Sequence, residues 1–127
     1  MIYKTFQLKK IPDQAIFYLL YGKNEGLKTD CINQILEKNN GKVFNYDEKE
    51  ILDNSNSFLE QIISRSLFEE KKTIIINRAT DKILKIIEEI DLKKIDDLKI
   101  IILANNLEKR SKLRVFFEKH KIYLCIP

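Results

Sequence analysis

The sequence predicts an α/β fold built around a parallel sheet. Strand-like and helix-like segments alternate along all 127 residues, which is the order that βαβ units produce. The strand-like runs are continuously apolar, as in parallel strands that are covered on both faces. The chain contains only three glycines and two prolines, so nothing indicates a flexible linker, and one globular domain is the expected organisation.

Five segments have strand character because they are rich in β-branched and aromatic residues. They are residues 16–21, 43–46, 73–77, 98–104 and 122–126. The first is apolar throughout and ends at Gly22, so we expect it to be a central strand. The second is the weakest and should lie nearer the sheet edge, with an acidic turn at Asp47, Glu48 and Glu50 after it.

Between these strands, apolar residues recur at helical spacing four times. The predicted helices cover residues 25–38, a segment from 58 to 66, a segment from 83 to 90, and a segment that carries Leu113, Phe116 and Phe117. Asn39, Asn40 and Gly41 can end the first helix, because they tolerate left-handed backbone. Ser111 is the expected N-cap of the last helix.

Residues 22–29, GKNEGLKT, follow the first strand and open a helix, which is where a nucleotide-binding P-loop would lie. That motif needs a second glycine before its lysine, so that backbone N–H groups can close on the phosphates. Leu27 stands there, and its branched side chain crowds the position. Lys28 and Thr29 remain, but we favour a structural role for them in the first helical turn. We therefore expect a degenerate P-loop at Gly22, Leu27, Lys28 and Thr29 that does not bind nucleotide.

The residues that activate water in a P-loop ATPase are also missing. The third strand runs into Asn77 and Arg78, where one or two carboxylates would hold Mg²⁺. Asn105 follows the fourth strand at the position of a γ-phosphate sensor, although it equally suits a turn. There is no G-x-S-x-G or H-E-x-x-H motif, and one histidine with two distant cysteines makes no zinc or Cys–His site. We predict no catalytic residue, no metal site and no cofactor.

The net charge of +4 comes from the second half of the chain. Residues 65–127 carry 15 basic and 10 acidic side chains, against 8 and 9 in residues 1–64. Most of this excess lies in Lys109, Arg110, Lys112, Arg114, Lys119 and Lys121. A solvated helix face is the favoured interpretation, and contact with DNA backbone or an acidic partner is the alternative. No apolar run approaches the roughly 20 residues of a membrane span, so we expect a cytoplasmic protein.

Three segments, taken in order, resemble the delta subunit of the bacterial DNA polymerase III clamp loader. They are residues 19–27, residues 66–68 before the third strand, and residues 107–114 before Phe116, Phe117 and Glu118. The resemblance implies a three-layer P-loop NTPase-like domain of the AAA+ type, with a five-stranded parallel sheet. It also implies a non-catalytic part of the DNA-directed DNA polymerase III complex, which binds and helps open the sliding clamp during DNA replication.

Within that family, the chain is similar to the N-terminal domain, and the expected assignment is residues 1–127. Family members continue into a lid domain and a collar domain, and the collar joins the other loader subunits. A hydrophobic pair before the third strand inserts into the clamp in this family, and by position that pair is Leu67 and Phe68. The alternative is that Leu67 continues the apolar stripe of its helix from Ile63. The resemblance favours the clamp contact.

Two other functions stay open at this point. One is a weak or atypical nucleotide-binding protein that uses Lys28 and Thr29, which would require Mg²⁺-dependent binding. The other is a nucleic-acid-binding domain that uses the basic residues from Lys109 to Lys121, whose affinity for nucleic acid would fall steeply with salt.

Overall fold

The computed structural model describes residues 17–22, 25–37, 42–66, 72–93, 98–105, 110–119 and 124–126. The strands are β1 (Phe17–Leu20), β2 (Lys42–Asp47), β3 (Lys72–Asn77), β4 (Leu98–Leu103) and β5 (Leu124–Ile126). The helices are α1 (Glu25–Glu37), α2 (Glu48–Asp53), α3 (Ser55–Ser66), α4 (Leu84–Lys93) and α5 (Lys112–Lys119), and a 3₁₀ turn at Asp81–Ile83 precedes α4. The predicted α/β class is confirmed.

The strands pair in the order β2-β3-β4-β1-β5, and every neighbouring pair is parallel. β1 lies between β4 and β5, and all four of its residues are buried, which confirms the expected central strand. β2 lies at the edge of the described sheet, as its weaker apolar character predicted. Because all pairs are parallel, the carboxyl ends of the strands meet at one edge of the sheet.

Helices cover both faces of the sheet. On one face, a large apolar cluster joins the strands to α2, α3, α4 and α5, and its members include Ile51, Phe58, Ile87 and Phe117. On the other face, Tyr18, Leu20 and Ile101 pack against Cys31 and Ile35 of α1. This alternation of strand residues between two clusters is what a sheet buried on both faces requires. Within the described part of the chain, no helix is long and apolar enough to cross a membrane.

The predicted acidic turn after β2 is wrong, because residues 48–53 form the short helix α2. Glu48 is buried at the start of this helix. Its Oε1 accepts two hydrogen bonds from Thr80, one from the backbone N–H at 3.1 Å and one from the hydroxyl at 2.9 Å. Ile51 is 1 % exposed and packs in the large cluster. The helix therefore depends on contacts with residues distant in sequence, which the local composition does not reveal.

The start of α5 is capped by two side chains. Ser111 Oγ accepts a hydrogen bond of 3.3 Å from the N–H of Arg114, which confirms Ser111 as the cap. The carboxylate of Asp81 accepts a hydrogen bond from the Ser111 hydroxyl and another, of 3.1 Å, from the N–H of Leu113. Partial burial raises the pKa of Asp81, but these hydrogen bonds, with the N–H and charge of Lys112, outweigh it and hold the pKa below its usual value.

Candidate functional site

A cleft of about 510 Å³ opens at the carboxyl edge of the sheet. Its walls come from α1 and from the ends of β2, β3 and β4, and the lining residues are Lys28, Asp47, Asn77, Arg78, Leu103, Ala104 and Asn105. Open parallel α/β sheets bind their ligands at this edge, outside the carboxyl ends of the strands. The cleft is therefore the first candidate for a ligand site, and it adjoins the segment predicted to be a degenerate P-loop.

Lys28, a residue of the predicted degenerate P-loop, lines the cleft. Its side chain is 8 % exposed, and its ammonium donates a hydrogen bond of 3.2 Å to the carbonyl oxygen of Ala104, just after β4. Thr29 is exposed and is not among the described residues that line the cleft. In an active P-loop the lysine and the hydroxyl converge on the phosphates and Mg²⁺. Here the lysine contacts the protein's own backbone, and the hydroxyl lies outside the cleft.

Backbone hydrogen bonds join the ends of β1 and β4 beside the cleft. Gly22 has φ 117°, a left-handed conformation that glycine adopts readily, and its N–H donates to the carbonyl of Asn105. The N–H of Ala104 donates to the carbonyl of Leu20 at 2.9 Å. The backbone N–H of Gly22, the first glycine of the predicted degenerate P-loop, is thus hydrogen-bonded to the protein's own backbone. Leu27 belongs to α1, and its side chain lies outside the described residues.

β3 ends in an amide and a cation, as the sequence indicated. The side-chain N–H of Asn77 donates a hydrogen bond of 3.2 Å to the carbonyl of Tyr46. Arg78 has φ 56°, and its guanidinium lies 3.8 Å from the carboxylate of Asp47, with the two side chains 83 % and 39 % exposed. Sequence reasoning missed Asp47 as a cleft residue, because its position depends on β2 pairing with β3. In the described residues, no group of three potential metal ligands is present.

The basic residues predicted for DNA or partner contact differ in solvent exposure at the start of α5. Arg110 and Lys112 are exposed, whereas Arg114 is half-buried with its guanidinium 5.0 Å from the ring centre of Tyr21. The hydrogen bonds of Asp81 hold the 3₁₀ turn against the start of α5, and the exposed Lys82 belongs to this turn. Sequence reasoning did not group Lys82 with this stretch.

The predicted clamp-contact pair lies outside the described residues. Leu67 and Phe68 follow α3, which ends at Ser66, and precede β3, which begins at Lys72. Lys109 also lies outside the described part of the chain. These three residues therefore stay predictions.

The fold and the cleft define a class: a parallel α/β domain with a cleft at the carboxyl edge of its sheet, lined by Lys28 of α1 and by Asn77 at the end of β3. The family model for the DNA polymerase III delta subunit matches residues 18–126. The chain belongs to this family, and the predicted resemblance is confirmed. Family membership gives the chain a role in DNA replication as a component of the DNA polymerase III clamp loader. No curated protein matches the chain.

Proposed function

We propose that this chain binds the ring-shaped sliding clamp and takes part in opening it, without hydrolysing ATP itself. The observation that carries the proposal is the match to the delta-subunit family over residues 18–126. The proposed fold is the AAA+-type P-loop core with a five-stranded sheet, and the strand order β2-β3-β4-β1-β5 supports it. In this arrangement the clamp is the main partner, and the other loader subunits supply the ATP-dependent steps.

Three features of the cleft support the absence of ATP hydrolysis. The ammonium of Lys28 is hydrogen-bonded to the backbone of Ala104, and the hydroxyl of Thr29 lies outside the cleft. β3 ends in Asn77, whose amide donates to a neighbouring strand. A P-loop ATPase needs a lysine on the phosphates, a hydroxyl on Mg²⁺ and a carboxylate near the attacking water. The described lining of the cleft lacks the hydroxyl and lacks a carboxylate at the end of β3; its one carboxylate, that of Asp47, lies at the end of β2.

We assign the clamp contact to Leu67 and Phe68, in the connection between α3 and β3. Transfer of both side chains into an apolar pocket is worth about 3–6 kcal/mol, which is enough to dominate a small interface. β3 begins at Lys72, at the amino edge of the sheet, whereas the cleft lies at the carboxyl edge. Variants of the two regions can therefore be tested separately.

The proposal is tested by isothermal titration calorimetry of the chain with its cognate sliding clamp. We expect the wild type to bind and the Leu67→Ala/Phe68→Ala double variant to lose at least about a hundredfold in affinity. Leu92→Ala is the matched control, because Leu92 is 79 % exposed on α4 and is not assigned to the contact. Circular dichroism checks that each variant is folded. A folded double variant that binds like the wild type contradicts the assignment, and a folded wild type that does not bind contradicts the proposed function.

A second contact, with DNA backbone or with an acidic partner, is supported by the basic surface at the start of α5. Arg110 and Lys112 are exposed, and the hydrogen bonds of Asp81 hold the 3₁₀ turn that carries the exposed Lys82 against the start of α5. We include Lys109 and Arg114 in this surface, as the sequence suggested. Phosphate contacts make binding salt-dependent, so duplex DNA affinity should fall steeply with salt. Arg110→Ala/Lys112→Ala should weaken binding and flatten this dependence, whereas Lys49→Ala, at an exposed position on α2, should not.

A further inference from the structure

We infer that the cleft at the carboxyl edge of the sheet binds a single phosphate group or a similar oxyanion, without a nucleoside. The inference rests on the lining of the cleft and is independent of the proposed clamp contact. Two cations and two amides line this cleft, whereas the hydroxyl of Thr29 does not, and β3 ends in an amide in place of a carboxylate. Anion binding and ATP hydrolysis are separable properties, and only the first is supported by the residues present.

The charges in the cleft favour an anion. The described lining residues include two cations, Lys28 and Arg78, and one carboxylate, that of Asp47. Lys28 is buried in the cleft wall, where a charge interacts more strongly than it does in water. The hydrogen bond from its ammonium to the Ala104 carbonyl fixes the position of this charge.

Arg78 supplies a cation that can turn toward a ligand. The 3.8 Å separation from Asp47 is too long for a hydrogen bond, and both side chains are solvent-accessible, so the ion pair is weak. An incoming phosphate offers the guanidinium a bidentate, charge-assisted contact, which is stronger. Arg78 can therefore exchange Asp47 for a phosphate by a rotation of its own side chain.

The backbone at Arg78 provides a second reason to look for a ligand there. A non-glycine residue with φ 56° is uncommon, and such conformations cluster at ligand sites. This conformation follows directly after β3 and presents Arg78 at the same cleft as Asn77 and Asn105.

The cleft lacks what a nucleoside requires. Its described apolar lining consists of Leu103 and Ala104, with no aromatic ring on which a base could stack. The hydroxyl of Thr29 is outside it, so Mg²⁺ should not strengthen binding. The ligand class is therefore a small oxyanion, with phosphate as the probe of choice.

The test is an NMR titration of the ¹⁵N-labelled chain with inorganic phosphate, at an ionic strength held constant with chloride. We expect saturable shifts of the amides of Gly22, Lys28, Asn77, Arg78 and Asn105, with a Kd on the order of 1 mM. Arg78→Gly removes the guanidinium but accepts the positive φ, so it keeps the fold and should weaken binding about tenfold. Lys28→Met should weaken it further, and Lys49→Ala, at an exposed position on α2 that does not line the cleft, should not.

Two results would overturn the inference. One is a set of shifts that do not saturate, and the other is phosphate binding by folded Arg78→Gly that equals the wild type. Separate titrations with pyrophosphate, acetate and Mg·ATP define the ligand. Saturable binding of acetate at the same amides supports an oxyanion site that a partner's carboxylate could also fill. Mg·ATP binding much tighter than pyrophosphate would overturn the nucleoside-free site and also the nucleotide-independence of the proposed function. Clamp calorimetry reports on the clamp contact separately.

Discussion

Lys28 donates a hydrogen bond of 3.2 Å to the carbonyl oxygen of Ala104, 76 positions further along the chain. This bond joins the first turn of α1 to the end of β4. In an active P-loop the same lysine would bind a phosphate. In this delta-subunit chain the bond holds a helix against the sheet at the edge that bears the cleft. Lys28 therefore has a structural role and also lines the cleft.

Lys28→Met should destabilise the domain. Methionine keeps the apolar stem but removes the donor from a buried carbonyl, and a hydrogen bond from a charged group of this kind is worth about 1.5–3 kcal/mol. Urea unfolding followed by circular dichroism measures the loss. Lys82→Ala, at an exposed position, is the control and should change the free energy of unfolding by less than about 0.5 kcal/mol. Equal stability of Lys28→Met and wild type would contradict the structural role.

Arg78→Gly and Arg78→Ala should differ in stability. Both variants remove the exposed ion pair with Asp47, which contributes little. Only glycine adopts φ 56° without steric cost, and that cost is about 1–2 kcal/mol for other residues. Because glycine loses more backbone entropy on folding, we expect the glycine variant to be more stable than the alanine variant by about 0.5–1 kcal/mol. Denaturant midpoints measure this difference. A more stable alanine variant would contradict the claim that the backbone at position 78 has a steric cost for residues other than glycine.

Asp81 should make folding stability depend on pH at the acid end. Its pKa in the folded chain lies below the usual 3.8, so the unfolded chain binds the proton more readily. The stabilisation is then fully present above pH 3.8 and is lost as the pH falls through the folded pKa. The stability difference between wild type and Asp81→Asn should be constant from neutral pH to about pH 5 and should shrink below 3.8.

Urea unfolding between pH 7 and pH 2.5 measures this difference. Asp53→Asn, at an exposed position near the end of α2, is the matched control for a lost carboxylate. A difference for Asp81→Asn that grows as the pH falls would show that the carboxylate does not stabilise the start of α5 in its charged form.

Glu48→Ala should destabilise α2 and the turn that follows β3. The substitution removes the carboxylate that accepts from both the N–H and the hydroxyl of Thr80, and it leaves a partly buried backbone donor without this acceptor. A loss of about 1–3 kcal/mol is expected in thermal or urea unfolding. Lys49→Ala on the exposed side of the same helix should be nearly neutral. Equal effects of the two substitutions would show that the Glu48 contact contributes no more to the free energy of unfolding than an exposed side chain does.

The parts of the fold that depend on local pattern were predictable from the sequence. The continuous apolar run before Gly22 indicated a buried central strand, and β1 is one. The end of β3 in Asn77 and Arg78 could be read directly, as could the cap at Ser111. These features depend on side-chain periodicity and on single residues next to a strand or helix.

The parts that depend on strand order were not predictable in the same way. Asp47 lines the cleft because β2 pairs with β3, and α2 forms because Glu48 meets Thr80 from another loop. The Lys28 bond exists because β4 lies beside β1, although β4 is far along the chain. Each of these contacts joins segments that are far apart in sequence, and no local propensity encodes such a contact.

The central claim is that this delta-subunit chain binds the sliding clamp without using nucleotide. The most direct measurement is the affinity of the chain for its cognate clamp, by calorimetry, without nucleotide and with saturating Mg·ATP. We predict measurable binding in both conditions, with the same Kd for the wild type and for a folded Lys28→Met variant. Absence of binding, or binding that requires Mg·ATP and disappears in Lys28→Met, would contradict the account.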